Sequence, residues 1–208
     1  MKMRPILFSG SMVRALLRGE KTQTRRAVKP QPAYGCRYEM NGAGTHALHL
    51  SDVPGREFVP PTPRSVDHRL PCPYGEPGDR LWVRETFAPR YFDNGHPGYR
   101  ADWTSAAADV CAEPKWKPSI FMPRLASRIT LEVTNVRVQR LRDITPEDAQ
   151  AEGCVCIGGR DVPLFTDTIG GDHLDPRGAY QALWSKINGA ASWAANPWVW
   201  AVTLKVLP

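Results

Sequence analysis

The segment from Ser127 to Leu141 constrains the fold more than any other part of the sequence. Its alternating aliphatic residues are Ile129, Leu131, Val133, Val136 and Val138. An alternation of apolar and polar residues is typical of a β-strand with one buried face. The parity of the alternation changes near Thr134-Asn135, which predicts a bend or bulge at that point.

Shorter elements surround this strand, and their apolar patterns, caps and turns predict their positions. They are strands at 6–8, 80–86 and 197–206, helices that begin at Ser11, Thr145 and Asp175, and a hairpin at 93–102. Few of these strands are separated by crossover helices. The order therefore predicts an α+β fold with mostly antiparallel strands, or a small barrel.

Two stretches lack any periodicity and are rich in proline, glycine and other turn-forming residues. They are residues 30–73 and 158–172. Segments of this composition are typical of surface loops. We therefore predict a single domain over residues 1–208 that carries two loop insertions.

The charge of the chain favours a polyanionic partner. Lysine and arginine together number 27 and exceed the 21 aspartates and glutamates, which gives a net charge of +6. A moderate basic excess of this kind is compatible with contact to RNA but does not establish it.

Several classes of protein are disfavoured by the sequence. No apolar run approaches the roughly 20 residues that a membrane helix needs, and the first residues do not form a signal peptide. The five cysteines have no regular spacing, which favours a reduced, cytoplasmic location. No phosphate-binding loop, dinucleotide fingerprint or HExxH motif is present, so no cofactor is expected.

The residues from Gly19 to Arg26 concentrate the chemically useful side chains. They include the amine of Lys21, the hydroxyl of Thr24 and the guanidinium groups of Arg25 and Arg26. A threonine hydroxyl becomes a nucleophile only when a base removes its proton. Burial and neighbouring arginines would lower the pKa of Lys21 toward that role. A run of charges is usually a solvated surface, and the residues alone leave both interpretations open.

Several short motifs occur in the same order as in one known family. They are Gly19-x-Lys21-x-x-x-x-Arg26, the Gly78–Glu85 segment GDRLWVRE, WKPS at 116–119, MPR at 122–124, ITPEDA at 144–149 and NPWVW at 196–200. Through these motifs the sequence resembles ASCH proteins, in particular those encoded by bacteriophages and prophages. The two insertions fall outside the resemblance.

The resemblance implies a PUA-like β-barrel that binds RNA or a modified pyrimidine nucleoside. It also implies a hydrolase activity of one of two kinds, ribonuclease or removal of the acetyl group from N4-acetylcytidine. The amidohydrolase pattern places its catalytic residues at Lys21, Thr24 and Glu152. Glu147 is a less well placed alternative to Glu152. In this pattern Glu152 would orient the lysine or protonate the leaving amine. The pocket is expected between the Lys21 segment and the strand that carries Arg84.

Further side chains are candidates for contact with the ligand or with nucleic acid. They are Arg25, Arg26, Trp82, Arg84, Glu85, Arg124 and Arg128. Tryptophan can stack on a base, and arginine can bind phosphate. Each also has a structural alternative, because tryptophans more often fill a core and an Arg–Glu pair often holds a strand.

A zinc site is not predicted. The cysteines and histidines of the first insertion, Cys36, His46, His49, His68 and Cys72, do not have the spacing of a compact zinc motif. Two non-enzymatic functions remain open: an RNA-binding regulator, and a phage accessory protein whose insertions bind a phage or host protein.

Overall fold

The computed structural model describes residues 1–31, 36–40, 46–51, 69–89, 95–103, 113–158, 164–166 and 172–208. The strands in chain order are β1 (Met3–Leu7), β2 (Gln23–Ala27), β3 (Cys36–Met40), β4 (His46–Ser51), β5 (Arg69–Pro71), β6 (Arg80–Arg84), β7 (Phe87–Ala88), β8 (Gly98–Tyr99), β9 (Thr130–Arg140), β10 (Val155–Gly158), β11 (Leu164–Thr166), β12 (Asp172–His173) and β13 (Trp198–Val206). The helices are α1 (Gly10–Leu17), α2 (Pro146–Ala151), α3 (Pro176–Asn188) and α4 (Ala191–Ala194).

A five-stranded sheet of order β1-β6-β9-β13-β2 organises the fold. Its pairs are antiparallel except for β1 with β6. The predicted α+β class and mostly antiparallel pairing are therefore confirmed. The predicted bulge is confirmed as well, because Asn135 pairs with Thr203 while Val133 pairs with Leu204, leaving Thr134 without an opposite residue.

Both faces of the sheet are covered, and strand β13 shows this most clearly. Trp200, Val202 and Leu204 point into a cluster that includes α1, β1, β6 and β9. Val199, on the opposite face, packs into a second cluster formed with α2 and α3. A strand buried on both faces explains why β13 is apolar at nearly every position.

The edges of the sheet, β1 and β2, are not joined by strand pairing in the described residues, so the sheet is not a closed barrel. This corrects the β-barrel that the resemblance implied and that the order of elements had left open as an alternative. A side chain makes the connection instead: Arg26 Nη2 donates a hydrogen bond to the Leu7 carbonyl oxygen at 2.6 Å. An arginine thus satisfies a carbonyl at the β1 edge.

Helix capping follows the sequence with one correction. The Thr145 hydroxyl accepts a hydrogen bond from the Asp148 amide, and the Asp175 carboxylate accepts one from the Gly178 amide, as predicted. Helix α1 begins earlier than expected, because Ser9 rather than Ser11 supplies the cap, through the Met12 amide. Within the described residues, none of the helices has the length and apolar character needed to span a bilayer.

The two stretches predicted as loops contain β-structure in their described parts. Strands β3, β4 and β5 form a three-stranded antiparallel sheet within residues 30–73. Strands β10, β11 and β12 form a second small sheet around 158–172. Residues 32–35, 41–45, 52–68, 159–163 and 167–171 lie outside the described residues. Strands this short carry too few alternating residues to be recognised against the glycine and proline around them.

Candidate functional site

Lys21 is held in place by the end of helix α1 and by a bridge to Glu152. Gly19 adopts a left-handed conformation with φ of 73°, which ends the helix. The Lys21 amide then donates to the Ala15 carbonyl at 3.1 Å, and Lys21 pairs with Glu152 in an isolated antiparallel bridge. Glu152 lies immediately after helix α2, so two helix ends meet at this point.

The ammonium group of Lys21 is completely enclosed and has three acceptors. Its Nζ lies 2.8 Å from the Gln23 carbonyl oxygen, 2.8 Å from the Glu152 carbonyl oxygen and 2.7 Å from Glu152 Oε2. The two side chains are 0% and 4% exposed. Burial lowers the pKa of Lys21, and the charge and hydrogen bond of Glu152 oppose this effect. Three acceptors match the three protons of an ammonium.

Arg25 extends this pair into a buried charge network. Its Nη2 lies 2.6 Å from Asp148 Oδ2, and its Nη1 lies 3.3 Å from Glu152 Oε1. The Arg25 guanidinium also donates to the Gln23 side-chain oxygen, while Gln23 Nε2 donates to Asp148 Oδ1 at 3.1 Å. Arg137 reaches the same aspartate with Nη2, 2.9 and 3.0 Å from the two oxygens. Gln23 and Arg25 share one side of β2, as the period of a strand requires, and Lys21 precedes the strand at the same spacing of two residues.

Asp148 is held in its ionised form by these contacts. Burial by itself raises the pKa of its carboxyl group. The hydrogen bonds and charges of Arg137, Arg25 and Gln23 outweigh burial and hold the pKa below its ordinary value. Lys21, Gln23, Arg25, Arg137, Asp148 and Glu152 together are called the charge network below.

A small cavity of about 70 Å³ lies against the charge network. It is lined by Met12, Thr24, Arg25, Arg26, Ala27, Glu152, Tyr180, Leu183, Trp184, Ile187 and Asn188. Because four consecutive residues of β2 line it, the cavity runs along the edge of the strand and not over one face. Its volume is of the order of two water molecules at about 30 Å³ each, so it suits a group of a few atoms.

Tyr180 lines this cavity, and its hydroxyl is neutral. Its ring lies 5.8 Å from the Arg25 guanidinium carbon and packs edge-on against Trp193. Burial, followed by the charge of Glu152, raises the pKa of Tyr180 well above its ordinary value. In the part of the chain that the structure describes, the hydroxyl makes no hydrogen bond. A phenol in this state can donate to a bound ligand.

Three further N–H groups of cavity-lining residues lack an acceptor among the described residues. They are Trp184 Nε1, Arg25 Nε and Arg26 Nε, all of them buried atoms. A buried donor without a partner costs about 1–3 kcal/mol, so native structures rarely keep one without a function or a partner.

A larger cavity of about 380 Å³ adjoins the small one and shares Arg26, Ala27 and Asn188 with it. Its other lining residues are Lys29, Leu70, Pro71, Pro73, Tyr74 and Trp200. The volume is within the roughly 300–1,000 Å³ of ligand pockets in general. The two cavities together form the candidate site.

The structure brings together most of the predicted catalytic residues, with one difference. Thr24 and Glu152 line the small cavity, whereas Lys21 lies behind Glu152 and is not a lining residue. Glu147, the alternative to Glu152, is exposed on helix α2. Arg25 and Arg26 line the small cavity as expected of ligand-binding residues, although Arg25 is committed to two carboxylates.

The residues predicted on and near strand β6 do not line these cavities. Arg84 Nε donates to the Met122 carbonyl at 3.1 Å, and the guanidinium carbon lies 5.3 Å from the Trp82 ring. No lining residue of either cavity comes from β6. The pocket therefore does not lie between the Lys21 segment and the Arg84 strand, because helix α3 and not β6 forms its second wall.

Glu85 and Arg128 instead form a separate ionic cluster. Arg128 Nε lies 2.9 Å from Glu85 Oε1, its Nη2 lies 3.0 Å from Asp102 Oδ1, and its guanidinium carbon lies 4.0 Å from the Tyr99 ring centroid. Burial raises the pKa of Glu85, and the hydrogen bond from Arg128 opposes this. These contacts occupy the Arg128 guanidinium and favour the structural alternative.

Arg124 is also engaged locally. Its Nη2 lies 3.2 Å from Thr130 Oγ1, and its Nη1 lies 3.4 Å from the Ser127 carbonyl oxygen. These contacts hold the turn that leads into strand β9, so Arg124 has a structural role in the described residues.

The sequence interpretation missed the partners that complete the site. Gln23, Asp148 and Tyr180 were not singled out, and neither were Arg137 and Trp184. Asp148 was read only as part of an acidic first turn of helix α2, where carboxylates are common. One signal was available for Gln23, since a polar residue between Lys21 and Arg25 at a spacing of two shares their side of a strand.

No metal site is visible among the residues that the structure describes, where no group of three His, Cys, Asp or Glu side chains converges. His68 lies outside these residues, as do the side chains of Cys36, His46 and His49. Cys72 is buried as a free thiol, and burial raises its pKa to about 11.

Comparison with known proteins identifies no relative of this chain. No protein-family model matches the sequence, and no curated protein or solved structure is significantly similar to it. The fold and the candidate site described above therefore rest on the sequence and geometry of the chain itself.

Proposed function

We propose that the two adjoining cavities bind a modified pyrimidine nucleoside of RNA, and that Thr24 and Glu152 remove an acyl group from its exocyclic amine. One observation carries this proposal: two buried residues, a threonine and a glutamate, line the same small cavity. The resemblance to ASCH proteins supports it, since Lys21, Thr24 and Glu152 occupy the positions of the amidohydrolase pattern. A PUA-like ancestry of the open sheet and a cytoplasmic location are part of the same proposal.

In the proposed reaction, Thr24 Oγ1 forms a bond with the acyl carbonyl carbon while its proton passes to the Glu152 carboxylate. The bond from that carbon to the exocyclic nitrogen then breaks, and Glu152 returns the proton to the leaving amine. Water hydrolyses the threonyl ester, which releases a carboxylic acid and restores the hydroxyl. The Tyr180 hydroxyl is the candidate donor to the oxyanion, since the group is neutral and has no protein partner in the described residues.

Lys21 has a positioning role in this scheme. Its three N–H groups are bound to acceptors, so removing a proton from Thr24 would require Lys21 first to give up one of these hydrogen bonds. Glu152, by contrast, both lines the cavity and holds Lys21 at 2.7 Å. These contacts support Glu152 as the base, with Lys21 fixing the direction of its carboxylate.

The test is hydrolysis of N4-acetylcytidine to cytidine, followed by chromatography. Thr24→Val preserves the shape of the side chain and removes the nucleophile, and we expect it to abolish turnover. Glu152→Gln should reduce kcat by about 10²–10⁴-fold, the usual contribution of a general base. Thr22→Val, at an exposed position two residues earlier, is the matched control and should retain wild-type rates. Wild-type turnover in Thr24→Val would rule out the proposed nucleophile.

A second candidate function is RNA binding without catalysis. The observation that favours it is the saturated hydrogen bonding of the buried Lys21, which is typical of a structural ion pair. If this is the function, wild-type protein will hydrolyse neither N4-acetylcytidine nor an oligoribonucleotide. It will still bind RNA with an affinity that falls as salt rises, because phosphate contacts release counterions. A salt-independent affinity would exclude phosphate contacts.

A further inference from the structure

The larger cavity has positive charge and, among its described lining residues, no carboxylate. Arg26 in strand β2 and Lys29 just after it supply two cations, and the aromatic residues Tyr74 and Trp200 also line the cavity. A concave surface that combines cations with aromatic rings is suited to an anionic ligand that also has a flat, apolar part.

The two cations are in different states. The Arg26 guanidinium is fixed by the Leu7 carbonyl and by the Phe8 ring, whose centroid is 5.5 Å from its central carbon. Lys29 is exposed and has no hydrogen bond or ion pair with any described residue. A cavity-lining lysine without a carboxylate partner leaves its charge available to a ligand.

Among the described residues, the weakly acidic side chains of Tyr74 and Cys72 do not cancel this charge at neutral pH. Burial raises the pKa of Tyr74, with a smaller opposing effect of Arg26, so the phenol is neutral. Burial also raises the pKa of Cys72, two residues earlier, to about 11, which keeps that thiol neutral. The positive potential of the larger cavity is therefore uncompensated by the described residues around it.

We infer that the larger cavity binds the phosphate of a nucleotide through Lys29 and Arg26, so that the ligand of the site is a pyrimidine nucleotide and not a free nucleoside. This inference rests on the proposed function and adds a phosphate subsite to it. The small cavity has room for the acyl group or exocyclic amine only. The base, ribose and phosphate lie in the larger cavity, with the phosphate toward the exposed Lys29.

The test compares cytidine with cytidine 5′-monophosphate by titration calorimetry, since neither carries an acyl group to hydrolyse. The wild-type protein should bind the nucleotide at least about tenfold more tightly, the effect of one charge-assisted contact. Lys29→Ala should remove this advantage and leave the affinity for cytidine unchanged. Lys115→Ala, at an exposed position that lines neither cavity, is the control and should change neither affinity.

Equal affinity of the wild-type protein for the two ligands would overturn the phosphate subsite and leave the proposed function standing. If Lys29→Ala weakened the affinity for cytidine and for cytidine 5′-monophosphate by the same factor, the phosphate subsite would also be overturned, because the lysine would then contact the nucleoside part. Absence of binding by acylated and unacylated ligands alike would refute the proposed function and this inference together. Oligoribonucleotides with and without a 5′-phosphate show whether the phosphate belongs to the end of an RNA or to a free nucleotide. If it belongs to an RNA end, the 5′-phosphorylated oligomer will bind more tightly than cytidine 5′-monophosphate. If it belongs to a free nucleotide, it will not.

Discussion

The pair formed by Lys21 and Glu152 offers a quantitative test of the charge network. We expect Lys21→Met to lower the free energy of unfolding by about 3–5 kcal/mol, the cost of removing one partner from a buried ion pair. The variant leaves two backbone carbonyls and a carboxylate without the ammonium that they share. Glu152→Gln should cost less than Lys21→Met, because the amide oxygen can still accept from Lys21 while the charge is lost.

The double variant, Lys21→Met with Glu152→Gln, shows whether the two residues stabilise the fold as a coupled pair or independently. With both charges removed, neither remains buried without its partner, so the loss should be smaller than the sum of the single losses by about 1–3 kcal/mol. Urea denaturation at neutral pH, followed by circular dichroism, measures all four proteins. Losses that add to within about 0.5 kcal/mol would refute the coupling and with it the positioning role of Lys21.

Three further predictions concern stability. Asp148→Asn should make the free energy of unfolding depend less steeply on pH in acid. Arg137 and Arg25 hold the pKa of Asp148 in the folded state below its ordinary value. The stabilisation by Asp148 is therefore complete above about pH 4 and is lost as pH falls through the lowered pKa. Urea titrations at several pH values check this, and an unchanged slope below pH 4 would contradict it. Gly189→Ala should lower the free energy of unfolding by about 1–3 kcal/mol, because Gly189 has a φ of 93° that alanine adopts only with strain. A Cβ at this position would meet no atom within 4 Å, so thermal unfolding of the variant measures the backbone effect without a steric clash. Arg128→Lys should cost about 1–3 kcal/mol through loss of the forked contact with two carboxylates, and a melting temperature equal to the wild-type value would show that this cluster contributes nothing.

Local patterns predicted the elements that depend on neighbouring residues. The caps at Thr145 and Asp175 and the bulge at Thr134 were visible because each is determined by side chains within a few positions. The cap of helix α1 was misplaced by two residues because Ser9 and Ser11 offer the same hydroxyl. The β3–β5 sheet was missed because its strands are short and lie among residues with no periodicity.

The candidate site could be predicted only in part. The spacing of Lys21 and Thr24, with the family resemblance, indicated Glu152 as their partner, and the structure places Glu152 against Lys21. Periodicity cannot show that helix α3 supplies Tyr180 to the same cavity, because the residue pattern of one segment does not tell which distant segment packs against it. The prediction that strand β6 forms one wall of the pocket was wrong for the same reason.

By itself the sequence determined the α+β class, the long bent strand and the starts of two helices, and it showed that chemically useful side chains are concentrated from Gly19 to Arg26. The tertiary structure alone decided which of those residues face a cavity and which carry a buried charge. Lys21 and Glu152 are 131 positions apart in the chain, so their contact depends on how the sheet and helices α2 and α3 pack. The protonation and orientation of such groups depend on desolvation and on distant charges, which only the folded chain brings together.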